Sequence, residues 1–547
     1  MTPSAKGNSY GSIFIDDSPD PQENVGLPRT RATSILSLSM LCGTAALLLT
    51  MLGTYSGQSQ DSTLVSSQLL ASQGDSKDEI HPDTTYWYKN QLVDHFSRDK
   101  KTWKHRYYQS KKHFAGPGSP IFLVIGGEGP MTKLLYPFIH DHLAKTFSAF
   151  VLQPEHRFYG ESQPVKIKHD DDYVGLLTSE QAMADMLRLL KHKRKELGCS
   201  TNRSSKHYCP VISVGGSYPG FLSAMFRFVH SDVIDIGYAS SAPLHLYSQE
   251  LDPRWYFDKI TETALKYDSR CPAALLQAQS ELVGILKDTN TSFQDVAKKM
   301  GVCVHKIPDY ITTNEIFSQE TMMIIGANNA DFNMDFYPPS ETTLLGQECA
   351  IFLDDSTDVY EKMEAFFGLI QEDEDATCFD YHSQIPDGAN GTISTSDWSG
   401  AGPGSTGRSW EFQLCSELVV RTGFSAESMF IEREWTLEWL TEHCASRGFG
   451  VTPQPYHLVD KWGFNDLVGN GASRILFTNG LNDGWSVLSI LEDLSDSIPV
   501  INFPNGAHHS DLSHEGPSEQ DTDDIKAGFV RIAEILASWL DEIKAEA

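Results

Sequence analysis

Val211-Ile212-Ser213-Val214-Gly215-Gly216-Ser217-Tyr218-Pro219-Gly220 decides the reading of this chain. Four apolar or small residues form a short strand, and an apolar helix is expected from Pro219 to about Val229. Between them two glycines let the backbone turn sharply, because neither carries a Cβ to clash. A serine at the tip of such a turn is lifted above the C-terminal edge of a sheet, as a nucleophile requires. The general pattern is G-x-S-x-G, and here Pro219 stands at the last small position. Proline costs little there, since the first helical turn has no intrahelical acceptor for that N–H. The amide of Tyr218, which the proline leaves intact, becomes the expected oxyanion donor.

A serine nucleophile needs a base, and the base needs an orienting acid. Hydrolases with this strand–turn–helix element supply them in the order serine, acid, histidine. Two later apolar runs end in suitable groups. Ile475 to Thr478 leads into Asp483-Gly484-Trp485, and Val500 to Phe503 leads into His508-His509. Asp483 and His508 lie 25 residues apart, about one β-α-β step, so neighbouring strands would bring them together. His509 is the alternative base.

Strands alternate with helices around the serine: Ile121 to Ile125, Ala149 to Leu152, a helix from about Ser179 to Glu196, then Val211 to Val214. That alternation predicts an α/β fold with a parallel sheet covered on both faces. It fades between Leu246 and Asp460, where helical windows and six cysteines predominate, and it resumes at Ile475. The expected architecture is an α/β-hydrolase fold in two parts, 86–245 and 461–547, with a mostly helical cap domain, 246–460, inserted between them. The last helix should bury Ile525, Phe529, Ile532, Leu536, Trp539 and Ile543, spaced three and four apart on one face.

The start of the chain is different. Residues 1–33 are polar and predicted to be a disordered cytosolic tail. Residues 34–54 contain an uncharged apolar run of the length that spans a bilayer. Arg29 and Arg31 precede it and no basic residue follows until Lys77. The positive-inside rule therefore makes it a type II signal-anchor, with the bulk of the chain luminal or extracellular. A cleaved signal peptide is the rival, but its apolar region would be unusually long. Residues 55–85 have the composition of a flexible stalk.

Beyond the anchor lie Cys199, Cys209, Cys271, Cys303, Cys349, Cys378, Cys415 and Cys444. None forms a CxxC pair, so no metal site is expected, and an even number in an oxidising compartment predicts four disulfides of unspecified pairing. Sequons at Asn202, Asn290 and Asn390 fit a secretory route. A net charge of -30 argues against nucleic acid as a partner.

The chain resembles the S28 serine peptidases from about Leu92 onward. The resemblance rests on Val93-Asp94-His95-Phe96, Ile121 to Pro130, Glu155 to Ser162, Leu177 to Ala182, Gly215 to Tyr218, Ala239 to Pro243, Trp410 to Glu417, Phe477 to Gly480 and Gly506 to His509. It implies Ser217 as nucleophile, Asp483 as acid, His508 as base, a helical cap, and a preference for peptide bonds after proline. Two departures stand out: Pro219 replaces a common glycine, and Asp483-Gly484-Trp485 replaces the usual Asp-Pro-Trp. The expected second oxyanion donor is an amide of the Gly126–Glu128 turn, that of Gly127.

Other residues invite two readings. Trp485 either lines a proline subsite or packs the acid loop, and Glu128 is a further pocket candidate. Glu155-His156-Arg157 fits a structural cluster beneath the site better than substrate contact. Glu417 would pair either a substrate amine or an arginine. The expected activity is exopeptidase action on peptides, proline-containing ones above all, through an acyl-enzyme and without cofactor; whether it releases a C-terminal residue or an N-terminal dipeptide stays open, as does a homodimer. The rivals are an ester or lipid hydrolase of the same fold and an inactive, membrane-tethered binding domain.

Overall fold

Eight strands form one twisted sheet: β1 Tyr86–Leu92, β2 Thr102–Ser110, β3 Ile121–Val124, β4 Phe150–Pro154, β5 Val211–Gly216, β6 Ile236–Ser240, β7 Ile475–Gly480 and β8 Val500–Phe503. Their spatial order is β1-β2-β4-β3-β5-β6-β7-β8. The computed structural model describes residues 84–547 except 310, 335–342, 372–375, 382–403, 514–515, 520 and 547. The expected tail, the anchor at 34–54, nearly all of the stalk and the sequon at Asn390 lie outside the described residues. Among the described residues no helix is long and apolar enough to cross a membrane.

β1 and β2 are antiparallel, as are β2 and β4, while β4-β3-β5-β6-β7-β8 run parallel. Strand side chains alternate between two apolar layers, as a period of two dictates. Ile121, Leu123, Val211, Ala239, Ile475 and Phe477 enter one layer. Phe122, Val124, Ile212, Val214, Ile236, Tyr238 and Leu476 enter the other. The first layer is covered by the helices Ser179–Glu196 and Tyr218–Val229. The second is covered chiefly by the helix Asp523–Ala545, whose Ile525, Phe529, Ile532, Leu536, Trp539 and Ile543 are buried as their spacing predicts. Each such side chain contributes roughly 1.5–3 kcal/mol of burial. This mixed sheet with helices on both faces fits an α/β hydrolase.

Between β6 and β7 the described chain is dominated by helices, among them Trp255–Tyr267, Cys271–Leu286, Asn314–Met334, Leu344–Leu353, Val359–Leu369, Gly404–Leu414 and Leu437–Ser446. All eight expected cysteines are paired, as Cys199–Cys209, Cys271–Cys349, Cys303–Cys378 and Cys415–Cys444. The last three tie this helical stretch together. Asn202 and Asn290 are exposed, so both sequons are open to a glycan.

Candidate active site

Ser217 sits between β5 and its helix with φ 61° and ψ -129°. A non-glycine residue held there stores about 1–3 kcal/mol of backbone strain, so its neighbours must fix it. They do so on every side. The Ser217 N–H donates to the Ser240 carbonyl at 2.9 Å, and the Ser217 carbonyl accepts from the Phe221 N–H at 2.9 Å. A Cβ on Gly215 would fall 2.2 Å from the Pro219 carbonyl oxygen, one on Gly220 2.6 Å from the Ser240 oxygen, and one on Gly216 2.8 Å from the His509 ring. The glycines are therefore required by close approach as well as by the turn. Pro219, the departure from the usual pattern, is second in the helix and packs against Gly127, where a Cβ would lie 2.7 Å from the proline Cγ. The Gly126–Glu128 turn thus lies against the elbow. The Tyr218 N–H, first in its helix, has no acceptor within that helix.

The acid and the histidine arrive on the ends of β7 and β8. His508 Nδ1 and Asp483 Oδ2 are 2.6 Å apart, with both side chains almost wholly buried. The other Asp483 oxygen accepts the Trp485 N–H at 2.9 Å. An anionic acceptor at Nδ1 requires that nitrogen to carry the proton, which leaves Nε2 as the basic position. His508 Nε2 is buried and has no hydrogen-bond partner among the described residues, so the structure brings Asp483 and His508 together but does not bond the Ser217 hydroxyl to the imidazole. His509 is placed differently: its N–H donates to Ser241 Oγ at 2.9 Å and its ring lies against Gly216. The Asp483 contact therefore falls to the first histidine of the pair.

A second buried network holds the elbow from behind. The Tyr218 hydroxyl lies 3.2 Å from His156 Nε2 and 3.2 Å from Ser179 Oγ, and accepts from Gln413 Nε2 at 3.1 Å. Gln413 Oε1 in turn accepts from the Tyr159 hydroxyl at 2.6 Å. Burial pulls the His156 imidazole down to about 4, so it is neutral near pH 7. The same burial raises the Tyr218 phenol. Sequence reasoning missed Gln413 and the tyrosine network; the Trp410 to Glu417 motif carried the signal, but nothing in it pointed at Tyr218.

The remaining candidates divide. Glu155 pairs with Arg106 and accepts the Met131 N–H at 2.9 Å, while Arg157 Nε reaches Asp185 at 2.6 Å. Both sit in buried, hydrogen-bonded ion pairs. Burial works against the Asp185 carboxylate, yet Arg157 and His95 hold it well below the usual range. The Glu417 carboxylate accepts the Ser179 N–H at 2.5 Å, at a helix N-terminus that favours negative charge. Trp485 packs on Tyr256 with centroids 4.4 Å apart and rings tilted by 44°, and its centroid lies 6.4 Å from that of His508, so it packs the acid loop and also borders the histidine. Glu128 is almost buried, and its charge is felt by Tyr136, Tyr159, Tyr218 and Tyr247. Asp511, which sequence reasoning also missed, sits beneath the histidines and accepts from Tyr238, Ser240 and Thr478 at 2.5, 2.6 and 2.7 Å. Among the described residues no cluster of histidine, cysteine and carboxylate could hold a metal ion.

Residues 91–530 match the family model described as Serine carboxypeptidase S28. The chain is similar to the lysosomal Pro-X carboxypeptidase of Mus musculus, 26% identical over 431 residues, covering 78% of this chain and 83% of that one. It is also similar to the thymus-specific serine protease of Mus musculus, 26% identical over 471 residues, covering 84% and 88%. Among solved structures, the uncomplexed acylaminoacyl peptidase of Pyrococcus horikoshii aligns over 31% of this chain and 25% of its own, with 14% identity and a TM-score of 0.23.

Proposed function

The chain belongs to the S28 serine peptidase family, and on that premise we propose that it cleaves short peptides at bonds following proline through an acyl-enzyme on Ser217. The observation that carries the reading is the 2.6 Å contact between Asp483 and His508, buried at the ends of neighbouring strands. His508 Nε2 takes the Ser217 proton as the hydroxyl attacks the peptide carbonyl. Asp483 holds the imidazole tautomer and stabilises the imidazolium. His508 then protonates the leaving amine, and water resolves the acyl-enzyme by the same route in reverse.

The tetrahedral oxyanion is received by the amides of Tyr218 and Gly127. Loss of one such donor typically costs about 10²–10³ in turnover. The close packing of Gly127 on Pro219 supports this pairing, because it brings the two backbone segments to one side of the elbow. Trp485, beside His508, offers a flat apolar wall suited to a pyrrolidine ring, and Glu128 supplies a carboxylate on the Tyr218 side of the site. The helices of 246–460 act as a cap that limits substrates to short peptides.

We further propose that residues 34–54 anchor the protein as a type II membrane protein, with the catalytic part in a lysosome-like lumen or outside the cell. The four disulfides and the exposure of Asn202 and Asn290 support that side of the membrane.

The test is a comparison of wild type with Ser217→Ala. A fluorophosphonate probe should label only the former, and a panel of proline-containing peptides should be cut only by the former. Equal labelling of the two proteins would refute Ser217 as nucleophile. Cleavage elsewhere than after proline would refute the specificity alone.

A further inference from the structure

Asp483 sits on a short loop, and the peptide groups on either side of it are held by a single side chain from the helical insertion. Asn333 Nδ2 donates to the Asn482 carbonyl at 2.6 Å, and Asn333 Oδ1 accepts the Gly484 N–H. Asn333 is 2% exposed. It lies near the end of the helix Asn314–Met334, which carries two other buried asparagines. Those behave as polar residues in helices commonly do: Asn328 and Asn329 bond back to the carbonyls of Ile324 and Ile325 at 2.9 and 3.0 Å. Asn333 instead commits both its donor and its acceptor to the acid loop.

The same loop is gripped from a second helix, Trp255–Tyr267. Thr263 Oγ1 donates to the Asn482 carbonyl at 2.9 Å, and Lys266 Nζ donates to Asn482 Oδ1 at 2.8 Å. Gly484 has no room for a side chain, since a Cβ would meet the Tyr256 ring at 2.8 Å. Its N–H is a donor that the usual Asp-Pro-Trp could not supply, because proline has none. The position that departs from the family pattern is thus the one that bonds to Asn333.

We propose that Asn333 is a positioning residue for the reaction: by bracketing Asp483 through the Asn482 carbonyl and the Gly484 N–H, it fixes the carboxylate against His508. The proposal rests on the reading of Ser217, His508 and Asp483 as the reacting set. Asn333 touches no substrate atom in this role and acts only through the acid. The insertion consequently supplies part of the catalytic geometry in addition to covering the site.

The test compares Asn333→Ala with wild type in the full-length protein, with active sites counted by fluorophosphonate titration. For the best peptide of the proline panel, kcat per titrated site should fall about 10- to 100-fold, the size expected when a reacting group is displaced by a fraction of an ångström to an ångström. KM should stay within about twofold, because binding contacts are untouched. The rate of fluorophosphonate labelling should fall in parallel. In the Asp483→Asn background the same substitution should cost less than threefold, since its effect runs through the acid.

Should Asn333→Ala not fold, Asn333→Asp keeps the acceptor for the Gly484 N–H and removes the donor to Asn482, and it is read in the same way. An unchanged kcat per titrated site, or full additivity with Asp483→Asn, would overturn the role. If Ser217→Ala still reacted with the probe, the underlying triad would be at fault; if only the Asn333 variants behaved as wild type, the positioning role alone would fall.

Discussion

Glu348 gives the protein a pH dependence that one substitution should erase. It lies on the helix Leu344–Leu353, fully buried, with one carboxyl oxygen accepting from Asn329 Nδ2 at 2.7 Å. Its other oxygen has no hydrogen-bond partner among the described residues. Burial pushes the carboxyl up from an ordinary value of 4.5 to about 8, against the weaker opposing pull of the Asn329 bond. The folded state therefore binds this proton more tightly than the unfolded state. The stability it represents is complete below the unfolded value and is lost as pH rises through the folded one. Between about pH 5 and pH 8 the loss amounts to about 3–4 kcal/mol. Glu348→Gln is the isostere of the protonated acid and retains an acceptor for Asn329. Urea unfolding of both proteins at the two pH values is the assay. The variant should match wild type at pH 5 and exceed it by about 3–4 kcal/mol at pH 8. Burial also raises the carboxyls of Glu155, Glu417 and Asp511, but these are common to both proteins and cancel in the difference. Equal pH dependence in the two, or a variant less stable than wild type at pH 8, would refute the reasoning.

His508→Ala should abolish fluorophosphonate labelling, whereas His509→Ala should keep it at a reduced rate, because only His508 contacts Asp483; gel-based labelling separates them. Tyr218→Phe should cost about 1–3 kcal/mol in denaturant unfolding, since Gln413 Nε2 loses its buried acceptor. It should leave the Tyr218 amide in place, so activity per titrated site should fall less than for a lost oxyanion donor. Removing the bridge between Cys271 and Cys349, 78 residues apart, should cost about 4–5 kcal/mol on a chain-entropy basis, read as a lowered unfolding midpoint under non-reducing conditions.

Much of this site was legible because its parts are local. The Gly215–Gly220 turn, the strands before Asp483 and His508, and the apolar face of Asp523–Ala545 each declare themselves within one short continuous stretch. The alternation of strand and helix then brought Asp483 and His508 to adjacent strand ends. What stayed hidden depends on distant packing. Glu417 accepts a backbone N–H more than two hundred residues away, a contact no local pattern announces. Asn333, Gln413 and Asp511 are polar residues whose burial no periodicity reveals, and the pairing of eight cysteines is a property of the folded insertion. Hydrogen bonds of this kind carry direction but no sequence spacing.

The placement of β7 beside β6 has a consequence for how the protein is made. Ser240 pairs with Thr478, so β6 cannot acquire its neighbour until well over two hundred further residues have emerged from the ribosome. At about 5–20 residues per second that is a wait of roughly 10–50 s. Throughout it, the growing chain carries the open edge of β6 and a half-built apolar layer, the kind of surface that recruits chaperones or aggregates. The three bridges of the insertion would form within that interval. Nascent chains stalled before Ile475 should therefore be the species most prone to misassembly.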